Sequence, residues 1–323
     1  SWESQAAVLQ NDVGHHLRTI AEMQQAVGQS GRSQEELKAG IEASRTLAAQ
    51  KEQALAALAI QSQELARQMA ALEEKQQATA AALDQLPVEG GTAHGVATDY
   101  VRRHPDLSTG ITVSLSGARD RAFVTYVGTI DSLHGADIPP DLPARARHVH
   151  IASYFLQTQL RPDLPELVAR VHESGGTVSL DTGFDPEERW DSDLLSLLPE
   201  VDIFLPNEVE AQAIAAAESV DAALATLCGM TKLVALKAGP DGSLACDGRE
   251  TIHVPAFRLQ VADTTGCGDA FNAGFIDGLL QGLPLSESMA RGNACGALMA
   301  SVVGNDAHIL TPAALAELTG DRV

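Results

Sequence analysis

Between residues 148 and 303, short apolar runs alternate with helix-like segments, and this alternation restricts the fold more than any other feature. The runs HVHIASYF, TVSLD, VDIFLP and LVALKAG are almost continuously apolar, and the pair SLACD and ETIHVP follows them. Strands of this kind are buried on both faces, which is typical of a mostly parallel sheet covered by helices. The sequence therefore predicts a three-layer α/β fold, with helices over about 163–174, 188–198 and 285–303.

Two further β-rich runs precede this region. TGITVSL and RAFVTYVG are separated by SGARD, a cluster of turn-forming residues. This arrangement predicts a β-hairpin. A strand-like run, RLQVA, also precedes the glycine-rich stretch at 263–269.

The character of the sequence changes near Pro87. Residues 1–87 contain one aromatic residue, one proline and fourteen glutamines, whereas the other eleven aromatic residues and thirteen prolines follow. Two kinds of sequence are thus joined, and we expect a helical region at 1–87 and an α/β domain at 88–323.

The first region reads as two helices, over about 3–27 and 33–86. Ser33 and Glu36 form a capping-box pattern at the second start. Apolar residues recur along the second helix at alternating steps of four and three, from Leu37 to Leu86, which favours an interrupted coiled-coil seam. The alternatives are a helical hairpin, an oligomerisation arm pairing with another chain, and a solvated spacer.

Charge and cysteine content limit the function classes. The net charge of −21 argues against a nonspecific nucleic-acid or anionic-membrane binder, because both need basic surfaces. The four cysteines are far apart without a CxxC pair, which favours a reduced cytoplasmic protein over a disulfide scaffold or a zinc site. We therefore expect no nucleic-acid or membrane partner.

Polar residues follow several predicted strands. Asp181 follows TVSL, Asn207 and Glu210 follow DIFL, and the segment 237–242 follows LVAL. Ligands of open α/β sheets bind outside the carboxyl ends of the strands. These residues are therefore expected at the functional edge of the sheet.

The stretch VADTTGCGDAFNAGF places two glycines and an aspartate where a helix begins. Amides at a helix N-terminus carry partial positive charge, and glycines let them approach an anion. Gly266, Cys267 and Gly268 could thus hold a phosphoryl group while Asp269 accepts a proton from an attacking hydroxyl. The alternative interpretation is an ordinary capped helix after a tight loop.

This stretch resembles the D-T-x-G-x-G-D signature of the ribokinase-like (PfkB) carbohydrate kinases. The resemblance extends over about 95–315: the hairpin resembles the family's lid strands, FLPNEVEA contains its N-x-x-E element, and ALKAGPDGSL resembles its K-x-G-x-x-G turn. It implies a ribokinase-like fold and transfer of the γ-phosphoryl group of ATP to a sugar or nucleoside hydroxyl. It further implies Asp269 as catalytic base, with the amides of Gly266, Cys267 and Gly268 as the anion hole.

The resemblance also implies the cofactor contacts. Asn207 and Glu210 would organise Mg²⁺ through hard oxygen atoms. Asp263 and Thr265 would lie near a monovalent cation such as K⁺. The residues expected on the nucleotide side are Lys237, Gly239, Gly242, Thr265 and, near the adenine, Asn293.

The chain departs from the family at its N-terminal side. Relatives carry strands and a sugar-binding G-G-x-x-x-N element before the segment that corresponds to 95–98, where this chain has glutamine-rich helical sequence. We treat 90–94, GGTAH, as a linker. We expect an exposed sheet edge with an apolar face, and impaired acceptor binding. The alternatives to a kinase are a catalytically inactive nucleotide-binding regulator and a coiled-coil interaction protein, and self-association through the helices or the lid strands is expected.

Overall fold

The computed structural model describes residues 2–29, 34–83, 95–116, 121–190, 193–304 and 307–320. The chain divides into two compact units, Ser1–Val127 and Gly128–Val323, and each is described by itself. The boundary predicted near residue 87, the linker at 90–94 and the capping residue Ser33 lie outside the described residues.

The first unit contains two long helices, α1 (Trp2–Gln29) and α2 (Gln34–Leu83). They pack antiparallel, because Asp12 pairs with Lys51 while Met23 lies against Gly40. The apolar residues buried between them include Val13, Ile20, Ile41 and Ala48. The predicted helical hairpin is therefore confirmed.

The second half of α2 exposes apolar side chains. Ile60 is 69% exposed and Met69 is 46% exposed. Pairing of this segment with another chain stays a prediction. No helix in the described part of the chain is long and apolar enough to cross a membrane.

Strands β1 (Ile111–Ser116) and β2 (Arg121–Tyr126) complete the first unit. They pair antiparallel, with Ile111 opposite Tyr126, and the Thr112 and Thr125 hydroxyls lie 3.0 Å apart. The predicted hairpin is thus present.

The second unit contains a six-stranded sheet in sequential order, β3 to β8. Strands β3 to β6 are parallel, whereas β6, β7 and β8 pair antiparallel. The strands are β3 (His148–Ile151), β4 (Thr177–Leu180), β5 (Ile203–Phe204), β6 (Leu233–Lys237), β7 (Ser243–Cys246) and β8 (Thr251–Val254).

Helices pack on both faces of this sheet. They are α3 (Leu142–Arg145), α4 (Leu164–Glu173), α5 (Leu194–Leu197), α6 (Glu208–Ile214), α7 (Val220–Cys228), α8 (Cys267–Leu280), α9 (Leu285–Ala300) and α10 (Pro312–Thr319). Leu164 and Val168 of α4 pack with Leu180 in one core, and Phe271 and Phe275 of α8 belong to another. The predicted three-layer α/β architecture is confirmed.

Two predicted elements differ from the structure. The helix predicted from 188 begins at Leu194, because the Asp185 carboxylate accepts the amide protons of Glu187, Arg189 and Trp190 and holds them in a turn. The run RLQVA is not a strand: the amide of Ala262 donates to the carbonyl of Ala300 instead of a sheet neighbour.

Strand β3 lies at one edge of the sheet that the described residues form, as expected. The prediction of an apolar face at this edge is wrong. His148 contacts the hydroxyls of Thr177 and Ser179 at 2.8 and 2.7 Å, and Nδ1 of His150 contacts the same Ser179 hydroxyl at 2.7 Å. Hydrogen-bonded polar side chains therefore occupy this face.

Cys228 and Cys246 form a disulfide, contrary to the expectation of reduced thiols. Residue Cys228 ends α7 and Cys246 ends β7, so the fold brings together residues 18 positions apart. A loop of about this length stabilises a domain by roughly 3 kcal/mol in the chain-entropy account. Cys267 and Cys295 are not disulfide-bonded.

Candidate active site

The glycine-rich stretch forms the N-terminus of α8 at the carboxyl end of the sheet. Gly266 is the N-cap and has φ 74°, a left-handed conformation that favours glycine. Its carbonyl accepts the amide proton of Ala270 at 2.9 Å. The Gly266 carbonyl thus accepts the first hydrogen bond of α8.

The amides of this turn differ in their partners. The Cys267 amide donates to the Thr264 carbonyl over a long 3.4 Å. Within the described ranges, no acceptor is found for the amides of Gly266 and Gly268. A helix N-terminus with unbonded amides fits an anion such as a phosphoryl group.

Asp269 lies in the first turn of α8, and its side chain is exposed to solvent. Partial desolvation and the negative charge of Asp181 raise the pKa of the Asp269 carboxyl, and the charges of Lys237 and His150 oppose this rise. A carboxylate with a raised pKa is a better proton acceptor. The position of Asp269 beside the glycine turn and the raised pKa of its carboxyl both suit the predicted catalytic base.

Lys237 lies beneath this turn, at the end of β6. Its ammonium group donates to Asp181 Oδ2 at 2.5 Å and to Asn272 Oδ1 at 3.4 Å. A Cβ atom on Gly268 would lie 3.8 Å from Nζ of Lys237. The structure thus places a buried positive charge next to the glycine turn.

Asp181 is only 8% exposed, and its carboxylate accepts three hydrogen bonds at this point. Besides Lys237, the amide group of Asn272 donates to Oδ2 at 2.5 Å and the backbone of Gly183 donates to Oδ1 at 2.8 Å. Burial opposes ionisation of Asp181, but the charge of Lys237 and these hydrogen bonds outweigh it and lower the pKa. Asp181 is therefore a buried carboxylate.

The two glycines predicted on the nucleotide side have different surroundings. Gly242 has φ 93°, and a Cβ atom there would lie 2.1 Å from the Val254 carbonyl oxygen. Close packing against β8 therefore explains this glycine. Gly239, with φ 51°, has nothing within 4 Å of its Cβ position, so it faces open space.

Asn207 and Glu210, the predicted Mg²⁺ residues, bond to each other at the start of α6. The backbone and side-chain amides of Asn207 donate to the two carboxylate oxygens of Glu210 at 2.9 and 2.7 Å. The amide of Glu210 donates back to Asn207 Oδ1 at 3.0 Å. This reciprocal cap presents oxygen atoms of the hard type that Mg²⁺ prefers.

Glu210 is 5% exposed, and burial raises its pKa to about 7. The positive charge of Lys237 acts in the opposite direction, and the negative charge of Asp181 adds to the rise. The carboxyl is thus partly protonated near neutral pH. A cation bound beside it would favour the ionised form.

This raised pKa predicts a pH dependence of stability. Folded Glu210 holds its proton to about pH 7, whereas an ordinary glutamate releases it near 4.5. Unfolding therefore releases protons in this window, and the free energy of unfolding falls as pH rises, by up to roughly 3 kcal/mol for this group. We expect Glu210→Gln to remove this part of the slope in urea titrations at pH 5–8.

Asp202→Asn is a matched control at the amino-terminal ends of the parallel strands, opposite the candidate site. Asp202 is also buried and accepts Lys232 Nζ at 2.5 Å and the amide of Val178 at 2.7 Å. Burial raises its pKa, but these hydrogen bonds outweigh burial and lower it below 3.8. Asp202 also contacts Nε2 of His172 at 2.8 Å. Its replacement should reduce stability without removing the part of the slope that is assigned to Glu210, and an unchanged slope in Glu210→Gln would contradict that assignment.

Asp263, predicted beside a monovalent cation, braces the turn. Oδ1 accepts from the amide and hydroxyl of Thr265 at 3.0 and 2.8 Å, and Oδ2 accepts from the Gly304 amide at 3.1 Å. Both carboxylate oxygens and the Thr265 hydroxyl thus have protein partners. The K⁺ site stays a prediction.

Asn293, predicted near the adenine, is 7% exposed and therefore is not a surface amide of α9. Its side-chain nitrogen donates to the carbonyls of Val254 and Pro255 at 3.0 and 3.3 Å. It ties α9 to the end of β8. Its contact with a nucleotide stays a prediction.

Two residues at this site were not singled out from the sequence. Asn272 contacts both Asp181 and Lys237, and His150 contributes to the charge around Asp269. Asn272 follows Asp269 by three residues on α8, so the shared helix face could have indicated it. His150 carries no comparable signal.

Other features of the second unit do not add to this site. A cavity of about 620 Å³ lies between residues 259–262, α9 and α10, away from Asp181, Lys237 and Asp269. Among the residues that the structure describes, no three His, Cys, Asp or Glu side chains are grouped to hold a metal ion.

The sequence resembles that of known carbohydrate kinases. The sequence pattern of the pfkB family carbohydrate kinases matches residues 92–311. An uncharacterised sugar kinase of Archaeoglobus fulgidus is 31% identical over 199 residues, covering 62% of this chain and 79% of that protein. An ATP-dependent ribose-1-phosphate kinase of Halopiger xanaduensis is 32% identical over 252 residues, covering 70% and 79%.

The fold also resembles a solved kinase structure. The adenosine kinase of Sinorhizobium meliloti superposes with a TM-score of 0.59 and 27% identity. The match covers 67% of this chain and 66% of that protein, so about a third of each chain lies outside it. With its fold, its glycine turn and its sequence match in agreement, the chain belongs to the pfkB family of carbohydrate kinases.

Proposed function

We propose that this chain transfers the γ-phosphoryl group of ATP to a hydroxyl of a sugar, nucleoside or related small alcohol. The observation that carries the proposal is the exposed carboxylate of Asp269, with its raised pKa, one residue after the unbonded amide of Gly268. An anion-binding turn next to a proton acceptor is the arrangement that phosphoryl transfer to an alcohol needs.

The residues divide the work as follows. Asp269 takes the proton from the attacking hydroxyl, which makes that oxygen a stronger nucleophile. The amides of Gly266, Cys267 and Gly268 stabilise negative charge on the transferred group, and Lys237 adds a positive charge from below. Gly239 lies on the open nucleotide side.

Mg²⁺ bound to the nucleotide would neutralise its phosphate charge and fix its geometry. Glu210 and Asn207 would hold that ion, either directly or through water. Asp263 and Thr265 shape the turn, and Asn293 fixes the segment after β8. The acceptor class rests on family membership and on the relatives named above, and includes sugars, sugar phosphates and nucleosides.

Two measurements test this proposal. Calorimetric titration with ATP and Mg²⁺ should show saturable binding to the full chain. ADP release, followed in a coupled assay over ketohexoses, pentoses, pentose phosphates and nucleosides, should rise with at least one acceptor. Absence of nucleotide binding would refute the proposal. Binding without ADP release for every acceptor would favour a nucleotide-binding regulator.

A further inference from the structure

A buried three-residue network lies directly under the glycine turn. Asp181 from the end of β4, Lys237 from the end of β6 and Asn272 from α8 are joined by the hydrogen bonds given above. Asn272 is 1% exposed, and the side chains of Lys237 and Asp181 are 13% and 12% exposed. A charge that is largely removed from water is costly unless a charged partner and hydrogen bonds compensate it, as they do here.

The direction of each contact shows which residue organises the network. Oδ2 of Asp181 accepts from both Lys237 and Asn272, while Oδ1 accepts from the Gly183 backbone. Asp181 is therefore the shared acceptor of two side chains and is itself fixed by the main chain. Removal of its charge would leave the Lys237 ammonium without a charged partner, with only the long contact to Asn272 Oδ1.

We propose that Asp181 is a positioning residue, which holds Nζ of Lys237 beneath the Gly266–Gly268 turn and thereby sets the electrostatic field at Asp269. The inference rests on the proposed function, since the phosphoryl group is the charge that Lys237 would face there. Asp181 acts through Lys237 and Asn272, without a contact of its own to the reacting atoms.

Four charged or titratable groups face this centre, each from a different element. They are His150 of β3, Asp181 after β4, Glu210 of α6 and Lys237 of β6. Asp181 raises the pKa of Asp269, and Lys237 and His150 lower it. The charges of Asp181 and Lys237 therefore have opposite effects on the pKa of Asp269. If one of the two is removed, the effect of the other on Asp269 is no longer offset.

Carboxyl titration by NMR tests this inference without the need for turnover. Aspartate labelled with ¹³C at Cγ is followed against pH in the full chain, and the Asp269 signal is assigned by its loss in Asp269→Asn. In Asp181→Asn we expect the Asp269 midpoint to fall below that of the unsubstituted chain. In Lys237→Met the Asp269 midpoint should lie above that in Asp181→Asn. Asp181→Asn keeps the positive charge of Lys237, which lowers the midpoint, whereas Lys237→Met removes that charge.

The control is Asp202→Asn, which removes the charge of another buried, lysine-paired aspartate, at the amino-terminal ends of the parallel strands. It should leave the Asp269 midpoint unchanged. Equal Asp269 midpoints in Asp181→Asn and Lys237→Met would overturn the inference, and so would an equal displacement in Asp202→Asn. If one of the two variants fails to fold, the other is compared with the unsubstituted chain. A displaced Asp269 midpoint then supports the inference, and an unchanged midpoint overturns it.

A second readout separates this inference from the proposed function. Calorimetry with ATP and Mg²⁺ should show an affinity about 10-fold lower in Lys237→Met, since a charge-assisted contact is lost. If the unsubstituted chain does not bind the nucleotide, the proposed function is refuted, while the inference about Asp181 is still tested by the NMR titration. Unchanged affinity in Lys237→Met, with binding intact in the unsubstituted chain, would overturn the placement of Lys237 under the phosphoryl group.

Discussion

Asp269→Asn is expected to reduce ADP release with an accepted acceptor by about 1,000-fold, because general-base catalysis contributes roughly 100- to 10,000-fold. Asparagine has nearly the same shape but cannot accept the proton of the attacking hydroxyl. The side chain is exposed, and the helix N-cap is Gly266, so we expect the fold to be retained. Affinity for ATP and Mg²⁺ should change little.

The matched control is Asp277→Asn, on the same helix. Asp277 pairs with Arg291 at 2.6 Å and its side chain is 48% exposed, so its loss should change both stability and ADP release only slightly. Circular dichroism and nucleotide titration accompany the assay for both variants. An Asp269→Asn variant that keeps most of its activity would exclude Asp269 as the base.

Much of the fold follows from local sequence. Strands β5 and β6 coincide with almost continuous apolar runs, because a strand covered on both faces needs apolar side chains throughout, whereas β3 and β4 alternate polar and apolar residues. The position of the site follows from the strand ends. Asp181 directly follows β4, Asn207 lies three residues after β5 and Lys237 is the last residue of β6. Parallel strands have their carboxyl ends on the same side of the sheet. Sequence alone was sufficient to bring these residues together.

Contacts between distant residues could not be predicted in the same way. Lys237 was expected to line the nucleotide side, but its ammonium pairs with Asp181, 56 residues earlier in the chain. The disulfide between Cys228 and Cys246 depends on how α7 packs beside β7. Both contacts follow from packing in three dimensions, and spacing along the chain carries no signal for them.

Side chains that capture backbone amides account for the errors in local structure. A helix is predicted for the segment before Leu194, yet the Asp185 carboxylate accepts the amide protons of Glu187, Arg189 and Trp190. Glu188 and Trp190 also take positive φ values, of 50° and 55°. Such turns compete with helix formation. Their outcome depends on the whole loop, and residue preference alone indicates only that a turn is available.

Gly242→Ala is expected to lower the free energy of unfolding of the second unit by about 4 kcal/mol, as overpacking and backbone strain add together. A Cβ atom there would lie 2.1 Å from the Val254 carbonyl oxygen and 2.6 Å from the Ala256 nitrogen. Backbone atoms cannot rotate away as a flexible side chain can. The change is measured by urea denaturation, with Trp190 fluorescence in a Trp2→Phe background.

Gly239→Ala is the matched comparison within the same turn. Its φ of 51° is also left-handed, but its Cβ position has nothing within 4 Å, so only the backbone preference is lost, which costs about 1 kcal/mol. The two variants thereby separate packing from conformation. If Gly242 instead served close approach of the nucleotide, Gly242→Ala would weaken ATP binding while stability stayed the same. An unchanged stability in Gly242→Ala would contradict the packing explanation. If the β8 backbone occupies the space that the new methyl group requires, the stability has to fall.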